Sequence, residues 1–204
     1  MIRTIFIVFF FPAILIIATG CTAPVFKTSD LLDTGIETKQ EVNGNQKVCI
    51  SSFEAPNNKP PENIVGKAKV GFFNMPAPIK ADTSVETMVT DLITSAFISA
   101  GFKIVPCSEA DFTIKGTFDK IWVDEYATGF SLEYAKSHVK CDIMVNDYTG
   151  KTIWANSIDK FETSPQNMMD ATSADIPTLQ MNLKNAIGSI FTDESFWEAV
   201  NTKQ

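Results

Sequence analysis

The sequence predicts an α+β fold: a two-layer sandwich in which a mixed, mostly antiparallel sheet carries helices packed on one face. Three features predict it. Residues 82–102, DTSVETMVTDLITSAFISAGF, place apolar side chains at steps of three and four, and a second such stripe follows Pro177. Between them, residues 138–161, HVKCDIMVNDYTGKTIWANSIDKF, alternate apolar and polar positions around a DYTGK turn. An order of strands, helix, paired strands and helix folds most simply into one sheet with its helices on one side.

The elements follow in chain order. KVCISSFEAP gives a short strand through Val48, Ile50 and Phe53 that Pro56 ends, and NNKPPEN is a loop. Residues 66–78, GKAKVGFFNMPAP, form a second extended piece closed by two prolines. That piece is too short to bury Phe72, Phe73 and Met75 together. Local core packing is their ordinary reading, and a patch facing a partner or lipid is the sharper one. In the first helix, Val85, Met88, Val89, Leu92, Ile93, Ala96, Phe97 and Ala100 make one continuous stripe; Thr83 with Glu86 reads as a capping box and Gly101 as the C-cap. FKIV is then a strand. ADFTIKGTFDKIWV alternates from Phe112 to Phe118 before slipping register near Ile121, the mark of a bulge.

In the hairpin, Val139, Cys141, Ile143 and Val145 face the core, and Ile153 with Ala155 starts the return. One apolar and one polar face suit a sheet covered on a single side. After Phe161 a loop carries Met168 and Met169. A helix with Leu179, Leu183, Ala186, Ile187 and Ile190 follows, and a short closing helix bears Phe196, Trp197 and Val200.

Ahead of all this, residues 5–17 read IFIVFFFPAILII, 13 positions without a charge, preceded by Arg3. A membrane-spanning helix needs about 20 apolar residues, whereas a secretory apolar region needs roughly 7 to 15. Pro12 would also remove a helical hydrogen bond that lipid cannot replace. The run ends in the small residues Ala18, Thr19 and Gly20 before Cys21, a stretch that resembles the bacterial lipobox, with Ala18 where leucine is usual. That resemblance implies cleavage before Cys21, acylation of the cysteine as the new first residue, palmitate included, and stable membrane anchoring by three acyl chains. Thr22 rather than Asp follows, which in enteric-type bacteria resembles the signal for the outer membrane.

The expected organisation is a signal peptide over 1–20, a flexible tether over 21–45 and one globular domain over 46–204. Cleavage leaves 16 Lys and Arg against 24 Asp and Glu, a formal charge of −8. Such a surface repels phosphate backbones, which excludes nucleic acid as a partner. With Cys21 lipidated, Cys49, Cys107 and Cys141 remain. In an exported protein they either form one bridge and one thiol or stay reduced as three small core residues.

Little in the chain points to catalysis. The single histidine, His138, lies on the polar parity of its strand, and no nucleophile elbow, P-loop, dinucleotide fingerprint or zinc spacing accompanies it. No cofactor and no metal are expected. DKIWVDEY sets Asp119, Asp124 and Glu125 around Trp122 and Tyr126; solvated acids at a strand end are the ordinary reading, and Trp122, Asp124 and Tyr126 are the candidate ligand-binding residues.

KVCISSFEAP, IVGKAKVGFFN, the capped helix ending AGFKIV, ADFTIKGTFDKIWV and the DYTGKTIWANSI hairpin together resemble the YajG-type bacterial envelope lipoproteins, over most of the chain from Lys47 onward. The resemblance implies an envelope lipoprotein with a fold similar to periplasmic modules that dock on larger machines, and it supplies no catalytic residues. The expectation is a non-enzymatic, lipid-anchored domain on the periplasmic side of the outer membrane. It would bind an envelope protein as an accessory or assembly factor; the rival is a periplasmic binder of small ligands or glycans.

Overall fold

In a computed structural model, the described residues are 25–32, 42, 46–54, 63–70, 75–128, 132–166 and 174–202. The signal peptide at 1–20, Cys21, Phe72, Phe73, Met168 and Met169 lie outside them. The described residues build an eight-stranded mixed sheet, open rather than closed into a barrel, with helices packed against it. The α+β sandwich holds.

Its core is the hairpin of β6 (Phe112–Thr128) and β7 (Leu132–Asp147), continued by β8 (Thr152–Gln166), all antiparallel. On the other side of β6 lie β2 (Lys47–Ile50) at its first half and β3 (Ile64–Val70) at its second, both parallel to it. β4 (Met75–Ala81) returns against β3, and β5 (Lys103–Ile104) pairs with β2.

The register slip expected near Ile121 is a bulge between Phe118 and Lys120. It leaves Asp119 unopposed and flips the parity. Phe112, Ile114 and Phe118 point to the core before it, and Ile121 and Val123 after it. A second irregularity at Val145/Asn146 makes Trp154 and Ile158, not Ile153 and Ala155, the buried residues of the return strand. The prolines of MPAP do not close a strand either. Pro76 and Pro78 lie inside β4, opposite Lys69 and Lys67. Among the described residues, the strand on the other side of β4 covers Lys80 and Ala81, so the missing N–H groups of Pro76 and Pro78 fall beyond it.

The first long helix, α2 (Val85–Ser99), buries Met88, Val89, Leu92, Ile93, Ala96 and Phe97 as its stripe requires. Its cap is one residue later than the Thr83–Glu86 box: Ser84 accepts from the Thr87 N–H. Gly101, at φ 91°, ends it, and the Phe102 N–H reaches back to the Phe97 carbonyl. Helices α3 (Asp175–Phe191) and α4 (Glu194–Asn201) complete the layer, with Phe97, Phe191 and Phe196 meeting edge to face.

The stretch read as a tether over 21–45 needs correction where it is described. Val25–Phe26 is a strand, β1, parallel to β4, and Ser29–Leu32 is a helical turn, α1. Phe26 is 0% exposed and Leu31 1%, both part of the one hydrophobic core. Burying two large apolar side chains outweighs the entropy of leaving so short a segment free.

Cys49 and Cys107 are bonded, 58 residues apart, and Cys141 is a buried free thiol. The one-bridge alternative is the one the fold adopts. Burial first, then Asp142 and Asp119 beside it, pushes the Cys141 thiol up to about 12, so it stays protonated and inert.

Candidate functional site

β6 does not stop before its acids. The strand continues through DKIWVDEY, so Trp122, Asp124 and Tyr126 alternate along it and share one face. That face is the outer one, opposite the helices. Cross-strand pairing with β7 sets Trp122 against His138, Asp124 against Lys136 and Tyr126 against Tyr134; on β8, Phe161 lies against His138. The three predicted residues are therefore brought onto one surface, extended by aromatic partners that sequence reasoning passed over.

Those rings engage one another. Tyr126 and Tyr134 stack at 5.2 Å, and His138 and Phe161 at 4.0 Å. Lys67 Nζ lies 5.9 Å from the Trp122 ring centroid and Lys136 Nζ 5.2 Å from that of Phe161. His138 Nε2 is 2.8 Å from Asp159 Oδ1, and a little further along Lys140 and Asp119 pair at 2.9 Å; that pairing raises the lysine pKa. Phe161 is 54% exposed and Tyr126 42%. The result is an aromatic face on which Lys67, Lys136 and Lys140 are interspersed with Asp119, Asp124 and Asp159. Tyr126 and Tyr134 each cover one face of the other, and His138 covers one face of Phe161.

On the inner face, the acid of DKIWVDEY reasoned to be solvated is buried. Glu125 is 6% exposed, and its Oε2 accepts from the Lys69 N–H at 2.5 Å. Nearby, Asp175 in the first turn of α3 is 0% exposed. Burial, with the Glu125 and Asp124 charges beside it, pushes the Asp175 carboxyl up to about 7. Nothing in the local sequence distinguishes this residue from an ordinary first-turn acid. Further along α3, the Asn182 side-chain amide donates to Ser137 Oγ at 2.8 Å and to the Lys160 carbonyl at 3.1 Å, and Ser137 Oγ donates to the Thr178 carbonyl. These bonds fix α3 across β7 and β8. Enclosed as it is, the Glu125 and Asp175 pair serves the seam between helix and sheet.

The raised carboxyl has a pH signature. The folded state holds the Asp175 proton more tightly than the unfolded chain, so this stabilisation is full below about pH 4 and is lost as pH rises through about 7. Asp175→Asn keeps the shape without the charge. It is expected to raise stability at pH 8 by about 1–3 kcal/mol and to flatten the slope between pH 5 and 8. Urea unfolding at both values measures this; an equal loss at each would contradict it.

The chain matches no family model, and no curated protein matches it in sequence. Among solved structures, it is similar to a Xanthomonas campestris protein of the DUF330 family, at 12% identity over 89% of this chain and 98% of that one, with a TM-score of 0.52. A minor lipoprotein from Acinetobacter baumannii is similar at 8% identity over 78% and 94%, TM-score 0.39. A lipoprotein from Neisseria meningitidis is similar at 10% over 72% and 99%, TM-score 0.36. The first likeness is one of fold.

Proposed function

We propose that this chain is a lipid-anchored, non-enzymatic protein of the bacterial envelope, held at Cys21 to the outer membrane, whose periplasmic domain binds an envelope protein as an accessory or assembly factor. Membership of the YajG-type lipoproteins is part of this proposal and rests on the stretches quoted above. The anchor rests on the 13-residue apolar run and the ATGC that ends it. The observation that carries the binding role is the outer sheet face. It gathers Trp122, Tyr126, Tyr134 and Phe161 on one surface, with Lys67 over the Trp122 ring and Lys136 over that of Phe161. Aromatic residues enriched at one patch are what protein interfaces favour over the remaining surface.

A photo-crosslinking residue at Tyr126 or Phe161, introduced in living cells, is expected to trap one and the same envelope protein. At Tyr148, 78% exposed in the far turn, it is expected to trap nothing. Equal adducts from all three positions would overturn the assignment of this face. A thermal shift with cell-wall fragments instead, and no adduct, would favour the ligand-binding reading of Trp122, Asp124 and Tyr126.

A further inference from the structure

The docked segment fixes where the chain leaves the body. Val25 pairs with Lys80 and Phe26 with Ala81 in a parallel ladder, and the Asp82 N–H donates to the Phe26 carbonyl at 3.0 Å. Thr28 then clamps the turn: its N–H and hydroxyl both donate to Asp82 Oδ1, at 3.0 and 2.6 Å, and hold that carboxyl below the usual carboxylate range. Only four residue steps separate Cys21 from Val25, a reach of at most about 14 Å.

Direction follows from the ladder. β1 runs parallel to β4, so upstream of Val25 lies the end of the sheet where β4 begins at Met75. Because β3 is parallel to β6 and pairs with β4, that end is level with Thr128 of β6; the Asp147 turn, paired with Phe112, is at the opposite end. The two ends are about 50 Å apart along strands of this length. Met75, at that end, is 63% exposed; Val25, level with Lys80 five positions along β4, is 55% exposed.

We propose that the sheet end carrying Met75, towards which the chain runs from Val25 back to the anchor, rests on the lipid bilayer, while the turn at Tyr148 points away into the periplasm. This rests on the reading of Cys21 as lipidated. The short reach from the anchor leaves the body no room to swing free. Met75, exposed at that end, enters the interface, while Val25 and Lys80, five strand positions further up, stay above it.

The test uses the full-length protein purified from membranes and reconstituted into vesicles of phosphatidylethanolamine and phosphatidylglycerol. A fluorophore is placed at Met75→Cys or at Tyr148→Cys, and quenching by spin-labelled lipid is read for each. Mass analysis of the N-terminal peptide reports acylation independently. Quenching several-fold stronger at position 75 than at 148 is expected. Acylated protein quenched equally at both would overturn the placement and leave the lipid reading intact. An N-terminal peptide without acyl chains would overturn both. Protection of position 75 in native envelopes but not in pure-lipid vesicles would assign that end to a protein and overturn the proposal.

Discussion

Replacing Cys49 and Cys107 together by alanine is expected to lower the unfolding free energy by about 4 kcal/mol, the loop-closure value for a bridge spanning 58 residues. The reason lies in what the bridge holds. β2 is four residues long and β5 two, and both reach the rest of the sheet only through parallel pairing, which needs distant segments of chain to meet. Cys49 in β2 and Cys107, in the 3-10 turn Cys107–Glu109 after β5, tie that corner together. Urea unfolding with and without reductant measures the effect. Reductant is expected to destabilise the wild type as much as the double substitution does, and to leave the double variant unchanged. Cys141, buried and protonated, would not react in the native state and takes no part. A wild type indifferent to reductant would contradict the bridge.

Phe26→Ala is expected to cost about 3–5 kcal/mol, the range for emptying a fully enclosed aromatic site. A residue on a free tether would cost nothing. The two accounts of residues 25–32 thus differ by about a third of the stability of an ordinary domain. Denaturation of the domain from residue 22 onward, as wild type and as Phe26→Ala, decides between them; unchanged stability would return the segment to a tether. Asp82→Ala, which removes the acceptor for both Thr28 donors, is expected to loosen the same segment more mildly, by about 1 kcal/mol.

What was legible in the sequence follows a physical rule: long elements leave a period, and short ones do not. The stripe of α2 and its Gly101 stop, the alternation of β6 and β7, and the slip that marks the Asp119 bulge were all readable because each repeats over many residues. β1 has two residues and α1 four, too few for any period; their reality depends on Lys80, Ala81 and Asp82, more than fifty positions away. Pro76 and Pro78 read as strand breakers because only the pairing of β4 shows that their missing donors face away from β3. The same limit shaped the candidate site. Trp122, Asp124 and Tyr126 were found as a local cluster of aromatics and acid, and their spacing did place them on one face. Their partners Tyr134, His138 and Phe161 belong to other strands, so only the register reveals the surface they make together. Glu125 and Asp175 show the converse: an acid in sequence is presumed wet, and only packing shows that these two are buried.

A lipid anchor at Cys21 underlies the placement and the binding role alike, and the mass of the N-terminal peptide is the decisive measurement. Protein isolated from native membranes and cleaved with protease is predicted to yield a peptide that begins at Cys21 and carries acyl chains, with none of residues 1–20 attached. A Cys21→Ser form is predicted to lose the chains and the membrane association together. A mature protein that begins at any other residue, or at an unmodified Cys21, would contradict the account.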